Sequence, residues 1–251
     1  MTYPPELHTA VATHPYPLVF ATVSGAHLYG FPSADSDWDL RGAHLLPARD
    51  LLGLHEPAET LEVNRDERIE LDLVTHDLGK FARLLLKRNG YVLEQLLSPL
   101  VVHTTPAHAA LMDLAPRTVT RWHAHHYLGF STNQWSLLEK EERARVKPLL
   151  YAFRTVLTGI HLMRTGTIEA NLIALNDTFK LPYLNDLIAL KVGGAEKEPL
   201  PDPLDRYRAE HARLMADLER ARDNAPLPDA VDERVVNALS DLLVRERLAT
   251  P

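Results

Sequence analysis

The chain of 251 residues is 45% hydrophobic and 24% charged, carries a formal net charge of −7 and contains no cysteine. This is the composition of an ordinary globular protein long enough to bury a core. It excludes disulfides, thiolate nucleophiles and cysteine-based zinc sites, and its acidic balance argues against a protein that coats nucleic acid non-specifically.

No basic stretch followed by an apolar core opens the sequence, and no apolar run reaches membrane-spanning length, so a cytoplasmic protein is expected. In chain order, residues 17–23, PLVFATV, form a short apolar run that predicts a buried strand. Residues 24–30 follow as a turn or short helix start, and 31–36 as a loop containing Pro32. Residues 37–46 predict a second strand, adjacent or antiparallel to the first. Residues 68–75, RIELDLVT, alternate acidic and apolar side chains as a third strand. That strand runs into a helix in which Leu78, Phe81 and Leu85 recur at helical spacing. A short helix is expected over 91–97, a short strand over 100–103, and a capped helix start at Thr105-Pro106.

Beyond about residue 107 the strand signals stop. Residues 121–140, 145–164, 205–223 and 229–248 carry helix-length apolar periodicity, and 192–203 form a polar loop rich in glycine and proline. The expected fold is α+β: a small mixed β-sheet with flanking helices over residues 1–110, followed by an α-helical domain over 111–251.

The stretch SGAHLYGFPSADSDWDLRG, residues 24–42, asks for more than a fold. Alternate residues of a strand share a face. Asp37 and Asp39 therefore project together, joined by Asp35 if the strand starts that early, while Trp38 and Leu40 face the core. Adjacent carboxylates repel unless a cation lies between them, and hard oxygen ligands without thiols point to Mg2+ or Mn2+ rather than zinc. Asp72 supplies a third carboxylate from a separate strand, with Glu70 on the same face as its competitor. Three acids on two neighbouring strands suit metal-assisted displacement at phosphorus. Gly25 allows the close backbone approach that a triphosphate needs.

This segment resembles the signature of the DNA polymerase β-like nucleotidyltransferase superfamily: a glycine turn, an acid-x-acid strand and a later acid. It resembles in particular the nucleotidyltransferases associated with bacterial RNA repair, through residues 28–42, 72–99 and 147–168. The resemblance implies Asp37, Asp39 and Asp72 as metal ligands and catalytic groups, with Asp72 assisting deprotonation of an acceptor hydroxyl. It further implies a nucleoside triphosphate such as ATP as substrate, held near Ser24, Gly25 and Ala26. The chain departs from the superfamily at Ala26, where a serine that contacts phosphate is usual.

Arg41 would share the face of Asp37 and Asp39, either pairing with them or contacting a phosphate. Lys80, Arg83 and Lys87 line one helix face, either solvated or guiding a polyanion. Lys147, Tyr151 and Arg154 recur on one face of a later helix, which in the resembling family lies toward the nucleotide. His123, His125 and His126 lack a fourth ligand at metal-binding spacing, and His123 with His126 reads as an ordinary i, i+3 surface pair. The expected function is transfer of a nucleoside monophosphate from a triphosphate to a hydroxyl, with release of pyrophosphate. The acceptor is an RNA end first, a protein side chain second and a small molecule third. The alternative is a non-catalytic nucleotide- or RNA-binding module whose active site has lapsed, for which Ala26 speaks.

Overall fold

The computed structural model describes residues 3–66, 68–194 and 199–249. In chain order its elements are α1 (Pro5–Ala12), β1 (Leu18–Val23), α2 (Gly25–Tyr29), β2 (Trp38–His44), α3 (Ala48–Leu52), β3 (Thr60–Asp66), β4 (Glu70–Asp77), α4 (Leu78–Leu86), α5 (Gly90–Leu96), β5 (Val101–His103) and α6 (Pro106–Leu114). There follow α7 (Ala124–Leu138), α8 (Val146–Thr165), α9 (Leu172–Phe179), α10 (Pro182–Gly193), α11 (Asp205–Asp223) and α12 (Glu233–Ala249). The chain divides into two compact units: Met1–Gly25, Asp37–Thr118 and Ala230–Pro251 make the first, Ala26–Ser36 and Val119–Asp229 the second. The expected α+β class holds, with a five-stranded mixed sheet and flanking helices plus further helices.

In the first unit the sheet has the order β3-β4-β2-β1-β5. Strand β1 is antiparallel to β2 and β5, β2 is parallel to β4, and β3 is antiparallel to β4. Every residue of β1 is buried, as its unbroken apolar run demands of a strand covered on both faces. On one face Leu7 and Ala10 of α1 pack with Leu18, Ala21, Val23, Leu40, Leu71 and Leu73. On the other, Phe20 meets Phe81 edge-on at 5.3 Å and stacks on His108 at 4.5 Å. Helix α4 presents Leu78, Phe81, Ala82 and Leu85 inward at helical spacing and is capped by Asp77, whose carboxylate accepts from the Gly79 amide at 2.9 Å. The Thr105 hydroxyl caps α6 in the same way.

The second unit is helical and is built around α8. Twenty residues long, α8 is buried on nearly every side from Val146 to Met163. Gly159 makes this possible: a Cβ there would lie 2.7 Å from the Tyr127 Cβ and 2.9 Å from Leu218, so glycine admits α7 and α11 at close range. No helix among the described residues is long and apolar enough to cross a membrane.

Several elements were not legible beforehand. Strand β3, TLEVNRD, is polar because it is an edge strand hydrogen-bonded to β4 alone, and the strand read as the third is therefore the fourth. Helices α1, α3, α9 and α10 were also missed. Two of these carry start signals in hindsight: Asn171 caps α9 through the amides of Ile173 and Ala174, and Pro182 opens α10. The loop expected over 192–203 begins two residues later, because α10 runs through Gly193; residues 195–198 of it lie outside the described residues. His123, read as a surface residue, is fully buried, its Nδ1 within 3.2 Å of the Thr120 amide nitrogen.

Candidate active site

Parallel pairing of β2 with β4 sets Asp39 directly opposite Asp72, with Leu40 opposite Leu73 and Arg41 opposite Val74. The alternation of the strands sends Leu40, Leu71 and Leu73 into the core beneath α1, with Trp38 packed against it, so the two aspartates emerge together on the opposite face. Asp39 and Asp72 keep 24% and 38% of their side chains exposed, and the arginine between them 17%. That arginine is Arg41. Its Nη2 donates to Asp39 Oδ1 at 2.7 Å and to Asp72 Oδ2 at 2.8 Å, while Nη1 donates to the backbone carbonyls of Asp72 at 2.7 Å and Leu40 at 3.1 Å. One guanidinium thus ties both carboxylates to the backbone of the strand pair, using the several N–H donors that arginine presents in a fixed plane.

Asp37 stands immediately before β2 and is half-buried; Glu70 is exposed at the start of β4, paired in register with Asp66. Among the described residues no three His, Asp or Glu side chains are grouped so as to hold a metal ion by themselves. The structure brings Asp39, Asp72 and Arg41 together and leaves Asp37 just before the strand, outside that set of contacts.

The glycine turn sits against this pair. The Ser24 amide donates to the Asp39 carbonyl at 2.8 Å, and Gly25 follows with φ +60°. A Cβ on Gly25 would fall 1.7 Å from Asp39 Oδ2. The glycine therefore makes room for the Asp39 carboxylate, a reason for it that the sequence reading did not supply. Ala26 is buried in the first turn of α2, where its carbonyl accepts from the amides of Gly30 and Phe31.

Further along β4, burial lowers the His76 imidazole from its ordinary value, and the charges of Lys80 and Arg41 add to the effect. His76 Nδ1 and Lys80 Nζ both meet the Thr60 hydroxyl, and Arg83 pairs with Glu59. Two members of the basic helix face are thus engaged with side chains from the β3 side of the sheet.

In the second unit, the Arg154 guanidinium is buried and stacked 4.0 Å above the Tyr29 ring. Tyr151 is half-buried and edge-on to Tyr29 at 5.5 Å and to Phe31 at 5.7 Å, with Lys147 Nζ 6.0 Å from its ring centroid. These three residues do share one side of α8, as their spacing requires. Lys191, which the sequence reading passed over, is wholly buried on α10 and donates to the hydroxyls of Ser33 and Ser36, thereby holding the loop that leads to Asp37.

The donor set can be weighed against a divalent cation. A cationic nitrogen already lies within hydrogen-bond distance of both carboxylates, so the pair presents convergent hard oxygens. Mg2+ commonly takes one or two protein carboxylates and completes its shell with water and phosphate oxygens. Asp39 and Asp72 fit that role.

A profile of the RlaP family, the RNA repair pathway DNA polymerase beta family, matches residues 3–245. The uncharacterized protein MJ0002 of Methanocaldococcus jannaschii is 33% identical over 155 residues, which is 61% of this chain and 63% of that protein. The uncharacterized protein YcgL of Bacillus subtilis is 23% identical over 250 residues, 95% of this chain and 93% of that protein. The alignment thus spans less than two thirds of the archaeal relative and nearly the whole of the bacterial one. With its profile running from residue 3 to residue 245, the chain belongs to the RNA repair pathway DNA polymerase beta family, a family of polymerase β-like nucleotidyltransferases.

Proposed function

We propose that this protein transfers a nucleoside monophosphate from a nucleoside triphosphate to a hydroxyl acceptor, with an RNA end as the first acceptor and a protein side chain as the second. The observation that carries this reading is the face-to-face pairing of Asp39 and Asp72 on adjacent parallel strands, with Gly25 cut away to admit one of them. Asp39 and Asp72, joined by Asp37 from just before the strand, would hold Mg2+ or Mn2+, which supplies neutralisation of phosphate charge and a more acidic acceptor hydroxyl. In the transfer, the acceptor oxygen forms a bond to the α-phosphorus while the bond from that phosphorus to the bridging oxygen breaks and pyrophosphate leaves. Asp72, the more exposed of the pair, takes the acceptor proton. Ser24, Gly25 and Arg41 would contact the phosphates, by the resemblance of the glycine turn and acid-x-acid strand to the superfamily signature.

A second reading, a nucleotide- or RNA-binding module without turnover, draws on Arg41, which offsets part of the charge of the acid pair without any metal. The two are separated by incubating the protein with each α-labelled triphosphate, Mg2+ or Mn2+, and RNAs of defined ends. Label passing to RNA or protein with the wild type, and not with Asp39→Asn or Asp72→Asn, supports transfer. Nucleotide binding with no label moved under any of these conditions rejects transfer in favour of the binding module.

A further inference from the structure

We infer that Arg41 is an internal counter-cation that exchanges with a divalent ion: it occupies the acid pair when the site is empty of metal and yields both carboxylates when metal arrives. The inference rests on the reading of Asp39 and Asp72 as metal ligands and adds to it how that site is kept ready. Two carboxylates carried on backbones held opposite each other by strand pairing repel at close range, so their repulsion bears on the fold whenever no cation is present. Arg41 offsets part of that cost from within the strand that carries Asp39.

The bonding of its two terminal nitrogens divides the work. Among the described residues Nη1 donates only to backbone carbonyls, those of Leu40 and Asp72, and these remain available whatever binds the carboxylates. Nη2 donates, among the described residues, only to carboxylate oxygens, one from each aspartate. A divalent ion therefore competes with Nη2 alone. The guanidinium can turn about its Nη1 anchor and stay beside the acids, with Nη2 freed toward whatever anion accompanies the metal. Its partly exposed position leaves a path for this exchange, since Asp72 retains 38% side-chain exposure.

The exchange predicts that Arg41 weakens metal binding in the absence of nucleotide. Mn2+ binding to the full chain, followed by electron paramagnetic resonance of the free ion, is compared for wild type, Arg41→Lys and Arg41→Met. Removing a competing charge-assisted contact should tighten Mn2+ binding about tenfold or more in Arg41→Met, with Arg41→Lys between. The rise in melting temperature on adding Mg2+ should also be larger in Arg41→Met than in wild type, because in the variant the metal no longer displaces the Arg41 guanidinium from the pair. A role confined to packing would lower the melting temperature without changing that increment.

If Arg41→Met does not fold, the wild type itself provides the test. The side-chain NMR signal of the Arg41 guanidinium should move, and its slow hydrogen exchange be lost, as Mg2+ saturates the site. Equal Mn2+ affinity in wild type and variant, or an Arg41 signal unmoved by saturating Mg2+, overturns the exchange while leaving the acid pair as a metal site. Absence of Mn2+ binding to either protein overturns the metal-ligand reading, and the exchange with it.

Discussion

Replacing Gly25 with alanine separates two costs that the structure places at one residue. Gly25 adopts φ +60°, a left-handed conformation that costs an alanine about 1–2 kcal/mol. The added Cβ would also lie 1.7 Å from Asp39 Oδ2 and 2.7 Å from its Cγ, so the carboxylate must swing away. The Asp39 backbone cannot follow, because β2 is paired on both sides with β1 and β4. A displaced carboxylate loses its 2.7 Å bond to Arg41, a charge-assisted contact worth about 1.5–3 kcal/mol. Gly25→Ala should therefore cost about 3–5 kcal/mol in the wild-type background. In an Asp39→Ala background only the conformational cost of about 1–2 kcal/mol remains. Urea unfolding of the four proteins measures both penalties, and the coupling between the two substitutions should be about 2 kcal/mol. An equal penalty in both backgrounds would refute the idea that Gly25 exists to accommodate Asp39. Label transfer by Gly25→Ala should fall nearly to the level of Asp39→Asn, although every carboxylate is retained.

Two further predictions concern the frame around the site. Asp77 is buried and takes both terminal nitrogens of Arg247 at 2.8 Å, while Arg247 also reaches the Leu46 carbonyl at 2.7 Å; Arg247→Ala, by stranding that carboxylate, should cost about 3–5 kcal/mol in urea unfolding, and a change below about 0.5 kcal/mol would show that the pair does not hold α12. Burial alone would raise the Asp77 carboxyl, but its bonds to Arg247 and to the Leu46 and Gly79 amides outweigh burial and hold it below 3.8. The stability from this pair is therefore complete above that value and lost as the pH falls through the lower folded value. Burial pulls His44, His126 and His211 each down to about 4, well below 6.5. Between those limits the unfolded chain binds more protons than the folded one, so stability is full above pH 6.5 and declines as the pH falls toward 4. Urea midpoints across this range should fall, less steeply in His44→Gln, and a flat profile would contradict burial of neutral imidazoles.

Local chemistry made much of this protein legible from its sequence. The apolar run of β1 could bury itself only as a central strand. The alternation of Trp38, Asp39 and Leu40 divided an ionic face from an apolar one, and the spacing of Leu78, Phe81 and Leu85 marked the inner side of α4. These signals lie within a few residues of each other, where backbone geometry alone sets which side chains share a face. Tertiary structure decided what depends on pairing between distant segments. The register that sets Asp39 against Asp72, the partners chosen by Arg41, and the closure of Arg247 on Asp77 across 170 residues are of this kind. So is the polar edge strand β3, whose residues acquire strand structure only from β4. A sequence states which charges are present along the chain, but a charge acquires its partner only when folding brings the two into contact and withdraws them from water.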